Sequence, residues 1–262
     1  MQQLRVGWVQ MEIAWERPRD NIDRVERLIT GHEADIWVLP EMWSTGFTMD
    51  TDKADRPQGT AWQAMKRWSE QTQALFIGSV QTRTGEKARN RLYAVFPDGR
   101  TLIYDKRHLF RMAGENHFYE PGENRLIVEW KGWRLAPLIC YDLRFPVWSR
   151  RTPEYDYEML IYVANWPAVR HTHWAALLPA RAIENQSYTL GVNRIGQDGN
   201  GHSYVGGSVL IDYKGQALLH SGEVEGAFVA EVFLKPLQEY REKFPVWRDA
   251  DAFQLIPKSL WG

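Results

Sequence analysis

The 262-residue chain has one cysteine, Cys140. A single thiol cannot close an internal disulfide, and with no cysteine or histidine partner at ligand spacing it makes a poor metal site, so no metal or other cofactor is expected. No hydrophobic run approaches the ~20 residues of a membrane-spanning helix, so no membrane partner is expected. Charge of one sign is missing as well: 32 Lys plus Arg stand against 33 Asp plus Glu. Without a basic surplus there is no field to gather nucleic acid, and the 13 tryptophans point to core packing and subunit contacts rather than base stacking. The amino terminus enters a strand-like pattern at once, with no basic region leading into an apolar segment; together with the free thiol this predicts a cytoplasmic protein. The chain also lacks low-complexity segments, linkers and short repeats. What remains is ordinary globular composition, 44% hydrophobic and 25% charged, at a length that suits one large domain binding a small neutral or singly charged ligand.

Periodicity gives a coarse order of elements. Leu4 to Gln10 alternates as a strand, and Pro18 opens a helix with Ile22, Val25, Leu28 and Ile29 at helical spacing, stopped near Gly31. Asp35 to Glu41 is a continuous apolar run ending on an acid. Thr60 is placed to cap a helix bearing Trp62, Met65 and Trp68, followed by a strand from Leu75 to Val80. Leu92–Phe96 and Thr101–Tyr104 flank the turn Pro97-Asp98-Gly99, and the second strand of that hairpin delivers Lys106. A second hairpin joins Leu126–Trp130 to Trp133–Cys140, where Pro137 predicts a bulge or an unpaired amide position. After a short helix at Pro146, Met159 to Ala164 reads as a strand leading into Asn165-Trp166-Pro167. A helix from about Thr172 carries Trp174, Leu177, Leu178 and Ile183 on one face. Strands over Ser187–Val192, Tyr204–Ile211 and Ala227–Val232 complete the pattern, with a turn at Asp212-Tyr213-Lys214-Gly215. Many strands with helices in pairs predict a layered α/β sandwich, its sheets covered by helices on their outer faces. Residues 1–243 form the expected domain. The tail 244–262 holds Phe244, Trp247, Phe253, Leu255, Ile256, Leu260 and Trp261, and is expected to dock on its own domain or a neighbouring subunit.

Glu41, Lys106 and Cys140 each follow an apolar strand run, so a sheet-based fold can gather them at one edge. Each has a plain alternative: a loop acid or cap, a surface lysine, a buried small hydrophobe. Together they specify chemistry. A thiol of pKa about 8.5 is mostly protonated at neutral pH, so attack on carbon needs a base or a nearby cation. Glu41 can take the thiol proton and pass it to a departing amine. Lys106 and the backbone N–H after Cys140 can hold the oxyanion of a tetrahedral intermediate. The first product is then a thioester, which water hydrolyses to an acid.

Pro40-Glu41, Asp105-Lys106-Arg107-His108-Leu109-Phe110 and Cys140-Tyr141-Asp142-Leu143-Arg144-Phe145-Pro146 resemble, in order, the three motifs of the nitrilase superfamily of carbon–nitrogen hydrolases. The resemblance spans nearly the whole chain and extends to Asn165-Trp166-Pro167 and Arg181-Ala182-Ile183-Glu184-Asn185. It implies the Glu41–Lys106–Cys140 assignment, an αββα sandwich, and homodimers or larger homo-oligomers built by αββα–αββα packing. The family's second glutamate, which orients the lysine and substrate, matches Glu115 by its spacing to Pro121-Gly122; Glu120 reads as a turn residue.

Within that superfamily the chain looks most like the ω-amidases, which hydrolyse the side-chain amide of 2-oxo acids such as 2-oxoglutaramate and 2-oxosuccinamate. Such a small-molecule amide needs a cation for its far carboxylate. Arg144 is the nearest candidate, with Arg111 second; the alternative for Arg144 is an ion pair with Asp142 or another acid. Tyr141, Phe110, Phe145 and Trp166 are candidate walls, and Asp142 reads as a helix cap. Competing readings are an aliphatic amidase, a nitrilase, an N-carbamoyl amino acid amidohydrolase, a cysteine–histidine enzyme using His171, His173 or His202, a metal site at His171-Thr172-His173, and a non-catalytic binding protein of the same fold.

Overall fold

A computed structural model describes residues 2–256. The first sheet takes β1 (Gln3–Gln10), β2 (Ile36–Val38), β3 (Leu75–Arg83), β4 (Ala88–Val95) and β5 (Thr101–Asp105), and is completed by the late strand β14 (Gly226–Phe233), in the order β14-β1-β2-β3-β4-β5. The second comprises β6 (Val128–Trp130), β7 (Trp133–Ile139), β8 (Met159–Ala164), β9 (Tyr188–Asn193), β12 (Val209–Ile211) and β13 (Ala217–His220), in the order β13-β12-β9-β8-β7-β6. A two-stranded ribbon of β10 (Ile195–Gln197) and β11 (Ser203–Val205) stands apart. Both large sheets are mixed. Strands β1, β2 and β3 run parallel, as do β7, β8 and β9, and the outer pairs are antiparallel.

The helices cover the outer faces, as the strand patterning requires. Within β2, Ile36 and Val38 face the second sheet while Trp37 faces the helices, so this strand is apolar on both sides. Helix α1 (Pro18–Ile29) begins at a proline, whose missing N–H costs nothing at a helix start, and ends before Gly31, which adopts φ 83°. With α2 (Thr60–Thr72) it buries Val25, Ile29, Met65 and Trp68 against Trp37 and Phe76. On the other side α5 (His171–Asn185) packs Trp174 and Leu178 onto β9. Between the sheets, Val6, Ile36 and Ile77 meet Leu135, Leu138 and Leu160 in one continuous cluster. Each such fully buried side chain contributes about 1.5–3 kcal/mol. Short helices α3 (Glu115–Phe118) and α4 (Pro146–Ser149) lie in the loops that follow β5 and β7, and α6 (Leu234–Lys243) follows β14. Among the described residues no helix is long and apolar enough to cross a membrane.

Several local expectations need correction. Thr60 does not cap α2: it is the first helical residue, and the Asp55 carboxylate accepts from Ala61 N at 2.8 Å. Of the two alternatives at Pro137 the unpaired position is the one found: β7 keeps regular register with β8 and no bulge forms, while β6 stops opposite Leu135, so among the described residues no strand pairs with the other edge of β7 where the proline sits. The run Tyr204–Ile211 is not one strand, because Gly206 and Gly207 take φ 69° and 73° and divide it between the ribbon and the second sheet. Ile183 is 54% exposed; the buried face of α5 is Trp174, Leu178, Arg181, Ala182 and Asn185. Strands β10 and β13 and helix α6 are additions to the sequence reading. In the tail, Phe244 O accepts from Gln186 Nε2 and Leu255 packs partly on the core, while Phe244, Trp247, Phe253 and Ile256 are exposed. Leu260 and Trp261 lie outside the described residues.

Helix α5 sits so close to β9 that a Cβ at Gly191 would stand 2.5 Å from Leu178 Cδ1 and 2.6 Å from Trp174 Cζ2. Trp174 cannot swing aside freely, since its Nε1 donates to Gly207 O at 2.8 Å. Gly191→Ala is therefore expected to cost about 1–3 kcal/mol, read as a lower urea midpoint at unchanged slope.

Candidate active site at the carboxyl ends of two sheets

Parallel and hairpin connections bring four strand ends to one edge. Glu41 follows β2 and Lys106 follows β5 in the first sheet; Cys140 follows β7 and Asn165 follows β8 in the second. Open α/β sheets bind ligands at such carboxyl ends. Lys106 Nζ lies 2.8 Å from Glu41 Oε1 and 3.0 Å from Glu115 Oε2, with all three side chains essentially inaccessible to solvent. Glu115 owes its place to the short helix α3 and accepts from Phe110 N as well. Glu120 instead pairs with Arg89 at 2.8 Å in a half-exposed position. Glu115 is thus the one of the two acids that contacts Lys106.

Glu41 is held from three directions. Its Oε1 accepts from Lys106 and, at 2.7 Å, from Asn90 Nδ2; its Oε2 accepts from Asn165 N at 2.8 Å. A carboxylate offers about four acceptor positions, so one stays open, and Glu41 stands close enough to Cys140 for its negative charge to raise the thiol. Cys140 is 9% exposed and its Sγ donates toward Asn165 O at 3.9 Å. Among the described residues no histidine is hydrogen-bonded to the sulfur: His173 Nδ1 contacts Arg144 Nη2 at 3.0 Å, and His202 lines the cavity without bonding Sγ. Among the described residues no three His, Cys, Asp or Glu are grouped to hold a metal.

The electrostatics follow from burial. Desolvation pushes the Cys140 thiol well above the ordinary cysteine value, with the negative Glu41 adding to it and Lys106 opposing. Burial disfavours the charge on Lys106, but Glu115 and Glu41 outweigh it and hold the ammonium above the usual lysine range. Burial likewise raises Glu115 against the pull of Lys106. The resting state is a neutral thiol beside an ionised lysine, an arrangement that suits proton removal during attack rather than a stored thiolate.

The cysteine itself is strained. Cys140 has φ 42°, a left-handed conformation uncommon outside glycine, asparagine and aspartate, at the start of the 3-10 turn Cys140–Arg144. The turn is braced from behind by Arg181, whose Nε and Nη2 both donate to Leu143 O. This gives the 181–185 segment a concrete part in shaping the site. The backbone N–H of Tyr141, at the turn's start, is one of the donors that helix openings leave without an internal partner.

Beyond Cys140 opens a cavity of about 260 Å³. Phe110, Tyr141, Arg144 and Trp166 line it; Arg111 and Phe145 do not. Arg111 is exposed to solvent on the far side of its turn, and Phe145 stacks on His108 at 3.8 Å between ring centroids. The alternative ion pair for Arg144 is also absent. Asp142 bonds Tyr104, His108 and Ile139 N, whereas the Arg144 guanidinium lies over the Trp166 ring at 4.6 Å. Asp142 accepts from the backbone N–H of Ile139, the residue just before the 3-10 turn, in line with a capping role.

Sequence reasoning missed Asn90, Asn165, Arg170 and the loop from Asp198 to Tyr204. Arg170 lies over Phe110 at 5.4 Å and faces the same cavity. Neither Arg144 nor Arg170 is paired with a carboxylate among the described residues. Asn165 stands at a strand end like the three residues singled out, so the same argument finds it. Asn90 sits inside β4 and carries no comparable signal.

Two mixed sheets back to back, with a glutamate, a lysine and a cysteine converging at their carboxyl edges, define a hydrolase of the carbon–nitrogen type. The chain belongs to this family: the carbon-nitrogen hydrolase family model matches residues 5–242. It is 46% identical to the omega-amidase YafV of Yersinia enterocolitica, over 98% of this chain and 100% of that protein. Identity to the 2-oxoglutaramate amidase of Bacillus subtilis strain 168 is 33%, over 93% of this chain and 96% of the relative. A solved CN-hydrolase superfamily protein from Xanthomonas campestris, with an arsenic adduct in its active site, superposes with a TM-score of 0.94 at 39% identity, covering 98% of this chain and 100% of that one.

The thiol's protonation is open to direct measurement. With its pKa raised, the protein should show no thiolate absorbance in the Cys140→Ala difference spectrum below about pH 8.5, where an ordinary thiol is half ionised. A thiolate band at neutral pH would contradict the resting state described.

Proposed function

We propose that the protein is an ω-amidase that cleaves the side-chain amide of a small 2-oxo dicarboxylic acid monoamide, such as 2-oxoglutaramate or 2-oxosuccinamate, to the 2-oxo acid and ammonia. One observation carries the reading: a cavity lined by Glu41, Lys106 and Cys140 and also by two arginines, Arg144 and Arg170, that have no carboxylate partner among the described residues. The relatives named for ω-amides support it.

In this reading Cys140 Sγ attacks the amide carbon as Glu41 takes its proton, and the oxygen becomes an oxyanion held by Lys106 and Tyr141 N–H. Glu41 returns the proton to nitrogen, the C–N bond breaks, and ammonia leaves a thioester on Cys140. Water, activated by Glu41, adds to the thioester and releases the acid and the thiol. Glu115 keeps Lys106 charged and aimed. Arg144, held flat on Trp166, takes the far carboxylate, with Arg170 facing it and Phe110 and Tyr141 shaping the walls. A nucleophilic free thiol needs a reducing compartment, which supports a cytoplasmic setting. The exposed Phe244, Trp247, Phe253 and Ile256 support docking of the tail on a second copy and hence a homodimer or larger homo-oligomer.

The substrate claim is tested by turnover of 2-oxoglutaramate and 2-oxosuccinamate beside glutamine, aliphatic amides, nitriles and N-carbamoyl amino acids. The 2-oxo acid amides should lead, and preference for a nitrile or a carbamoyl compound would reject the reading. Glu41→Gln and Lys106→Ala should each lower kcat by roughly 10²–10⁴-fold. Arg144→Met should raise KM for the 2-oxo acid amides by roughly 10–100-fold, the loss of a charged hydrogen bond, and leave neutral amides nearly unaffected.

A further inference from the structure

We propose that Asp142 is a positioning residue for catalysis, a buried carboxylate that ties the segment carrying Lys106 to the turn carrying Cys140 and so fixes the nucleophile in its strained conformation. The proposal rests on the reading of Cys140 and Lys106 given above.

Asp142 is fully buried and two residues past the cysteine. Its side chain turns back rather than toward the substrate cavity, and it meets four donors. Oδ2 accepts from Ile139 N at 3.0 Å and from Tyr104 OH at 2.7 Å. Oδ1 accepts from His108 N at 3.0 Å and contacts His108 Nδ1 at 2.8 Å. Four contacts match the acceptor positions of a carboxylate, so none of them is left without a partner in an apolar interior. The contact with the His108 ring is a hydrogen bond donated to Asp142 in the tautomer that carries its proton on Nδ1.

The four donors come from segments of two different sheets, β7 in one and β5 with the loop that follows it in the other. Ile139 is the last residue of β7 and the residue before Cys140; Tyr104 lies in β5, and His108 comes two residues after Lys106. Tyr104 OH also accepts from Arg107 N at 3.3 Å and from Trp148 Nε1 at 2.9 Å, and His108 is stacked on Phe145. One carboxylate therefore sets the spacing between the two strand ends that carry the cation and the thiol. It also holds Ile139 N just ahead of a residue at φ 42°, a conformation that persists only where its surroundings over-determine it. Without the clamp the turn can relax toward ordinary backbone angles, and Sγ moves relative to Glu41 and Lys106. Displacements of about 1 Å at a reacting atom cost on the order of a hundredfold in rate.

The test is Asp142→Asn in the full chain, read by turnover of 2-oxoglutaramate and, independently of any substrate, by the rate at which iodoacetamide alkylates Cys140. Both rates should fall about a hundredfold, with KM within about threefold of the native value, because the residue does not touch the substrate. Tyr104→Phe, which removes one of the four donors, should lose roughly tenfold in kcat. The double variant should be no slower than Asp142→Asn alone, since both act through one carboxylate. Native kcat and native alkylation in Asp142→Asn overturn the proposal. So does a variant that merely melts earlier while each titrated thiol turns over normally. Should Asp142→Asn fail to fold, Tyr104→Phe and His108→Ala decide, and native kcat in both overturns it. Cys140→Ala separates the two levels. If that variant is inactive while Asp142→Asn is native, only the clamp is wrong; if Cys140→Ala is active, the reading of the site itself fails.

Discussion

The site depends on one buried ion cluster, Lys106 held between Glu41 and Glu115. Taking a lysine and two carboxylates out of water costs several kcal/mol per ion, and a well-packed apolar replacement is often as stable. Stability alone does not explain such a cluster. Its chemistry does: the two acids keep the lysine charged in a place where burial alone would neutralise it, and the lysine lets two carboxylates share a small space. In the proposed reaction the ammonium is thereby available for a developing oxyanion, and Glu41 keeps one acceptor position for the thiol proton. Removing any one member leaves the others buried without compensation, a loss that ordinary surface pairs do not incur.

The two sheets divide the work. The first supplies charge, through Glu41 and Lys106, and the second supplies the thiol and the amide groups that steady Glu41, through Cys140 and Asn165. Rigid strands packed through Ile36, Ile77, Leu135 and Leu138 set where these ends arrive, which is why reactive groups just past strand ends can be placed closely. The strain at Cys140 is local, and Arg181 on Leu143 O and Asp142 on Ile139 N hold it from either side. The same 3-10 turn presents Arg144 to the cavity, so the proposed nucleophile and the proposed substrate cation share one scaffold.

Much of this was legible as the places where apolar runs stop. Glu41, Lys106 and Cys140 follow apolar stretches, and the helical spacing of α1 fixes which of its faces is inside. What was hidden depends on contacts between distant segments. Asn90 is a polar residue in the middle of β4, and only the arrival of Glu41 from β2 gives it a purpose. Gly206 and Gly207 look tolerable inside a strand, yet their positive φ ends one sheet's run and starts another's. Arg111 and Arg170 are both basic residues near motif ends. The turn after Phe110 points the first to solvent, while the 3-10 turn ahead of α5 brings the second over Phe110. Ile183 fits the apolar stripe by spacing but is exposed, and Arg181 and Asn185 take the buried positions on that turn of α5.

The cavity and the ion cluster make a single claim about chemistry, that amide cleavage passes through an acyl group on Cys140. Intact-protein mass measurement on Glu41→Gln, quenched in acid during reaction with 2-oxoglutaramate, tests it most directly, because slowed hydrolysis lets the intermediate build up. The account predicts a mass increase equal to the substrate's acyl group, mapped to the Cys140 peptide and lost in Cys140→Ala. Turnover with no adduct on Cys140, or an adduct on another residue, would contradict it.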